Sequence, residues 1–223
     1  MNHSRQALFD TLAQVGKAMG NGHRLTLLER LSQGEAPVET LSSCADLTVG
    51  NTSQHLQHLR RAGLVTARRD GRQIFYRLTD ERIMQLMCLM RGIAETNLAE
   101  MERLLGKLFP ESDGAGELEA ISRDALRGKL ERGEVTVLDV RPQDEFHSGH
   151  LRGAINIPVE KLEQMLDQLP KNREVVAYCR GPYCFLSREA VRILRSHGFQ
   201  VRRLEDGYPS WKAAGLPVDR VGT

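Results

Sequence analysis

Aromatic residues are scarce in this chain, with one Trp, four Tyr and six Phe among 223 residues. No run approaches the ~18 apolar residues that a membrane-spanning helix needs. The opening MNHSRQALFD also lacks the apolar stretch of an export signal. A cytoplasmic chain is expected. Cysteines are few as well, at 44, 88, 179 and 184, and they read as free thiols rather than as a disulfide framework. No pair has the C-x2-C spacing of a zinc knuckle. Cys179 and Cys184 are spaced in a way that would suit a metal, but no second pair completes a tetrahedral set. No motif asks for a metal or a cofactor. Internal repeats and low-complexity tracts are absent too. The net charge is only +2, too small an excess to argue for nucleic acid across the whole chain.

Local charge says more. Residues 1–110 carry fourteen Lys/Arg against eleven Asp/Glu, and the remainder seventeen against eighteen. Between Arg60 and Arg82 stand seven arginines and three acids, a cluster suited to phosphate if it shares one surface. The stretch from Pro110 to Glu117 is poor in large apolar residues and holds a Pro and two Gly, which makes it the expected linker. Domains are therefore expected at 1–109 and 118–223, joined by 110–117.

Before the linker the pattern is mainly helical. Helices are expected over Arg5–Met19, Gly22–Ser32 and Pro37–Cys44. The turn Asp46-Leu-Thr48 leads into another over Val49–Ala62, with Thr48 as its cap and Gly63 as its stop. Two β-prone runs, Val65–Arg69 and Gln73–Leu78, meet at Asp70-Gly71, a hairpin signal. One long amphipathic helix is expected from Thr79 to Leu108. Helix, tight turn, polar helix and basic hairpin in this order form a winged helix-turn-helix. The polar helix offers Asn51, Thr52, Ser53, Gln54, His55 and Gln57 to base edges, and Arg60, Arg68, Arg69 and Arg72 to phosphates.

The run from Asn51 to Val65, followed by Arg68–Leu78, resembles the ArsR/SmtB family of bacterial repressors over roughly residues 10–105. The resemblance implies a homodimer paired through its first and last helices, bound to double-stranded operator DNA and released by a ligand. Metal-sensing members carry a cysteine pair near the motif's first helix, or a His/Asp set on the last helix. Here only Cys44 stands in the first place, and the last helix has no histidine. A metal-responsive repressor is thus the weaker alternative. Cys44 is open between inert and redox roles. Cys88, among Met84, Met87 and Met90, is open between a core residue of a Met-rich seam and a sensing thiol.

After the linker, β and α segments alternate, which implies a parallel sheet with helices on both faces. A helix over Ser122–Glu131 precedes the strand Val135–Val140, and a helix over Val159–Leu169 precedes the strand Glu174–Tyr178. Helices are also expected over Phe185–His197 and Pro209–Ala214, on either side of a strand-like run at Phe199–Leu204. Cys179 directly follows its strand and opens the loop Arg180, Gly181, Pro182, Tyr183, Cys184 before a helix. A thiol there faces converging backbone N–H groups and a helix N-terminus, which favour the thiolate and cradle a persulfide or oxyanion. That makes Cys179 the candidate nucleophile.

Four segments, Leu138–Arg141, His150–Pro158, Tyr178–Gly181 and Leu204–Trp211, resemble a single-domain rhodanese over about 118–219. The resemblance implies sulfurtransferase chemistry, in which Cys179 takes sulfane sulfur from a small donor and passes it to a thiol or cyanide. Asp139 and Arg141 match the family's early Asp-x-Arg and support the loop. The related phosphatase loop needs Arg six residues after its Cys. Phe185 stands there, so the phosphate clamp is missing. Cys184 replaces a residue that is often polar or basic, and is open between a second redox thiol and a passive loop residue. The combined expectation is a DNA-binding regulator, read as a repressor, that senses or relays reactive sulfur. The alternative is a sulfurtransferase that the winged helix only dimerises or localises.

Overall fold

The computed structural model describes residues 2–109 and 120–221. The expected linker, 110–117, lies outside the described residues. By its contacts the chain divides into two compact units, Met1–Met87 and Cys88–Thr223. Among the described residues no helix is long and apolar enough to cross a membrane.

In the first unit, α1 (Asn2–Met19) and α2 (Gly22–Ser32) precede the short β1 (Ala36–Pro37), α3 (Val38–Ala45) and α4 (Val49–Arg61). The strands β2 (Val65–Asp70) and β3 (Gln73–Leu78) form the wing, and β1 pairs antiparallel with β3. The sharp turn between α3 and α4 is made by Asp46, which takes the left-handed conformation at φ 51°. Thr48 caps α4 by accepting from the Asn51 N–H at 3.2 Å. That cap is needed, because Gly50, Asn51, Thr52 and Ser53 are poor helix formers. The cap contributes about 1 kcal/mol. Leu56 and Leu59 are fully buried beside Leu27, Leu28 and Leu41, and contribute about 2 kcal/mol each. Packing, rather than propensity, holds this helix.

The long helix expected from Thr79 to Leu108 is two helices, α5 (Arg82–Asn97) and α6 (Ala99–Leu108), broken where Leu98 is extended. Asn97 explains the break. Its side-chain amide donates to the Ile93 carbonyl at 2.8 Å, competing with the helical backbone. The boundary between the two units falls inside α5.

In the second unit a parallel sheet has the order β4-β9-β8-β5-β7, from β4 (Ala120–Ile121), β9 (Val201–Leu204), β8 (Glu174–Tyr178), β5 (Val135–Asp139) and β7 (Ile155–Asn156). A small antiparallel pair joins β6 (His150–Leu151) to β10 (Val218–Asp219). The helices are α7 (Arg123–Glu131), α8 (Gln143–Ser148), α9 (Leu186–Ser196) and α10 (Tyr208–Ala213). Strand alternation separates two cores. Val175, Ala177 and Cys179 pack with Ala190, Val191 and Leu194 of α9, whereas Val176 and Tyr178 pack with Leu126 of α7 and Trp211 of α10. The helix expected over Val159–Leu169 is instead two 3-10 pieces, Val159–Gln164 and Leu166–Gln168. Val159, Leu162, Met165, Leu166 and Leu169 all pack on the core, and spacings of three and four suit 3-10 turns as well as an α-helix.

Candidate functional site: a buried thiol in the second unit and a polar helix with its wing in the first

Cys179 directly follows β8, with only 1% of its surface exposed. Its Sγ lies 3.1 Å from the Ser187 hydroxyl, in the first turn of α9. The Gly181 and Cys184 carbonyls are 3.7 and 3.8 Å away. Burial works against a thiolate here. Hydrogen bonds from the Cys184 and Ser187 side chains, and from the Gly181 and Ser187 backbone, outweigh it and bring the Cys179 pKa down to about 6. The half-buried Cys184 is pushed the opposite way, first by donating to Cys179 and then by burial, so it stays a thiol beside a thiolate.

The loop is braced from below. Asp139 and Arg141 form a fully buried ion pair at 2.6 Å, and Arg141 also donates to the Gly149 carbonyl at 2.8 Å. Tyr178 donates to Asp139 at 2.5 Å, and burial, then Asp139, hold its phenol protonated. The Tyr208 ring lies 4.4 Å from the Arg141 guanidinium, and the Tyr208 N–H donates to the Cys179 carbonyl at 3.0 Å. Gly207 touches the loop directly. A Cβ there would lie 2.4 Å from the Gly181 nitrogen, so only glycine fits. Arg180 does not present a free charge, because the buried Glu145 pairs with it at 2.7 Å.

The same unit includes the second half of α5. Tyr183, in the loop, donates to Glu95 at 2.5 Å. Arg91 pairs with Asp206 at 3.2 Å, and Cys88 lies 3.3 Å from the Ser210 hydroxyl. Positions 88, 91 and 95 share one helical face. Phe109, just after α6, lies 5.0 Å from Phe185 at the loop's far end.

On α4, Asn51, Gln54, Gln57 and Arg60 are exposed, and Ser53 and His55 partly so. Thr52 is corrected. It is fully buried, and its hydroxyl donates to the Thr48 carbonyl at 3.0 Å, so it supports the helix start instead of reading bases. Burial, then Arg24, His23 and His58, lower the His55 pKa, which keeps the ring neutral with one donor and one acceptor. On the wing Arg72 is exposed, and Arg69 donates to the Gly71 carbonyl at 3.1 Å. Arg68 is engaged by Glu35 at 2.6 Å and Asp70 at 2.9 Å. Cys44 is exposed on α3.

The rhodanese-like domain family matches residues 122–214, and a helix-turn-helix domain family matches residues 19–68. The HTH-type transcriptional regulator Rv0324 of Mycobacterium tuberculosis is 43% identical over 215 residues, covering 96% of this chain and 93% of the relative. The chain belongs to the ArsR-type helix-turn-helix transcriptional regulators that carry a rhodanese-like domain. A sulfurtransferase of Allochromatium vinosum is 30% identical over 44% of this regulator and 92% of its own length. The homodimeric winged helix-turn-helix DNA-binding domain of a possible ArsR-family regulator from Mycobacterium bovis, a solved structure, is 38% identical. It covers 43% of this chain and 89% of that one, with a TM-score of 0.40.

Sequence reasoning missed several residues of the regulator's thiol site. Ser187 carried a signal, as a hydroxyl in the first helical turn after the loop. Glu145, Glu95 and Phe109 carried none, since long-range pairing brings them to the loop.

Proposed function

We propose that the rhodanese-like part of this transcriptional regulator loads sulfur onto Cys179, and that the loaded state changes operator affinity. The observation that carries this reading is the buried Cys179 thiol just after a strand, with the Ser187 hydroxyl 3.1 Å from its Sγ and hydrogen bonds that lower its pKa. Such a thiol is largely thiolate at neutral pH and attacks a sulfane sulfur, leaving a persulfide and releasing the donor's remaining group. The neighbouring Cys184 thiol is placed to attack the Cys179 persulfide in turn. Its sulfur then bonds to the Cys179 Sγ, and hydrosulfide leaves.

Residues 1–109 act as the DNA-binding and dimerising part. Exposed Leu8, Phe9 and Leu12 on α1, and Leu86, Leu89 and Ile93 on α5, support pairing of two copies. Asn51, Ser53, Gln54, His55 and Gln57 would meet base edges, and Arg60, Arg69 and Arg72 phosphates. The α5 face that meets Tyr183, Asp206 and Ser210 supports a link from sulfur state to DNA affinity.

The other reading, a sulfurtransferase that the winged helix dimerises or localises, draws on similarity to the Allochromatium vinosum enzyme. Intact mass after thiosulfate treatment tests the chemistry. One added sulfur on Cys179, or its loss with a new Cys179–Cys184 disulfide, is expected. An unmodified protein, or the same gain in Cys179→Ser, contradicts it.

A further inference from the structure

Residues 88–109 belong to the same compact unit as the Cys179 loop, and they lie against its surroundings at several points. Tyr183, inside the loop, donates to Glu95 at 2.5 Å. Phe185, where the loop ends, meets the Phe109 ring at 5.0 Å between centroids. The Arg188 guanidinium lies over that same ring at 3.9 Å. Asp206, next to the glycine that presses on the loop, pairs with Arg91 at 3.2 Å. Cys88 adds a contact to the Ser210 hydroxyl at 3.3 Å. Phe185 keeps 53% of its surface exposed, so the cover is partial and leaves a narrow way in.

Sulfur carriers differ in how much of that surface they need. In a disulfide between two proteins the Cα atoms lie about 4.4–6.8 Å apart, and a bridging persulfide sulfur adds about 2 Å. A partner backbone must therefore come within about 9 Å of Cys179, onto ground that Arg91, Glu95 and Phe109 already hold. Even a transient protein partner buries on the order of 1,000 Å² in total. A thiosulfate ion or a small thiol needs room for only a few atoms.

We propose that residues 88–109 form a wall beside the Cys179 loop that admits small sulfur carriers and excludes protein thiols. The proposal rests on the sulfur-loading reading above and names its substrate class. In the exchange it allows, a small thiolate attacks the outer sulfur of the Cys179 persulfide. A new S–S bond forms, and the old one breaks with its electron pair on Cys179 Sγ.

The test brings an iodoacetyl group to the full chain in two forms, as free iodoacetamide and tethered to a surface lysine of ubiquitin. Peptide mass assigns each label, and exposed Cys44 serves as the reference within the same molecule. In wild type the ratio of ubiquitin-borne to free alkylation should be at least about tenfold lower at Cys179 than at Cys44. Arg91→Ala, Glu95→Ala and Phe109→Ala combined should raise the Cys179 ratio about tenfold, and Phe109→Ala alone should give part of that rise. Equal ratios at the two cysteines in wild type, or no rise in the combined variant, overturn the proposal. Thiosulfate loading, followed by intact mass in the same proteins, separates the two layers. A low Cys179 ratio in a protein that accepts no sulfur keeps the wall and removes the sulfur-loading reading. Thiosulfate loading with equal ratios does the reverse.

Discussion

At Cys179 the competing effects can be weighed one by one. Burial alone would keep the thiol protonated, but two side-chain donors and two backbone donors reverse that and hold it near 6. A depressed pKa means the thiolate fraction grows as pH rises through that value. Alkylation by iodoacetamide should therefore increase between about pH 5 and 7 and level off above, well below the ~8.5 of a free thiol. Ser187→Ala removes one donor and should move the midpoint up by about one unit. A wild-type midpoint near 8.5 would contradict this balance. The nucleophile was legible from the strand, Cys, loop, helix order, whereas the opposite fates of Arg180 and Arg188 were not. Which guanidinium meets a carboxylate depends on Glu145, thirty-five residues from Arg180 in the chain.

Elements with strong local punctuation matched their expected bounds best. In α4, Thr48 and Gly63 mark both ends, and in the wing Gly71 at φ 58° turns the hairpin. Segments without such marks went differently. The residues 159–169 carry apolar spacings that suit 3-10 turns as well as an α-helix, and they form the former, while α5 and α6 part at Asn97, where a side-chain amide competes for a carbonyl. The pairs β1, β4, β6, β7 and β10 are two residues each, too short for any periodicity to show. The wing also separates its arginines by function. Among the described residues Arg72 has no ion pair and Arg68 is bridged by two acids, so Arg72→Ala should reduce the salt slope of operator binding by about one, and Arg68→Ala by less. Equal slopes for the two variants would contradict that assignment.

At the scale of the whole molecule, both families were legible because each carries its motif within a short window, the polar helix and wing in one case and the Cys179 loop in the other. The contacts of α5 with the second unit's loop were not legible, since they come from residues far apart in the chain. Cys88, Arg91 and Glu95 face Ser210, Asp206 and Tyr183, while Leu86, Leu89 and Ile93 are exposed. The most direct measurement is operator affinity of the full chain at fixed salt, with and without prior thiosulfate treatment, in wild type and in Cys179→Ser. The account predicts a shift of at least about fivefold in wild type and none in Cys179→Ser. The same affinity in treated and untreated wild type, or an equal shift in both proteins, would contradict it.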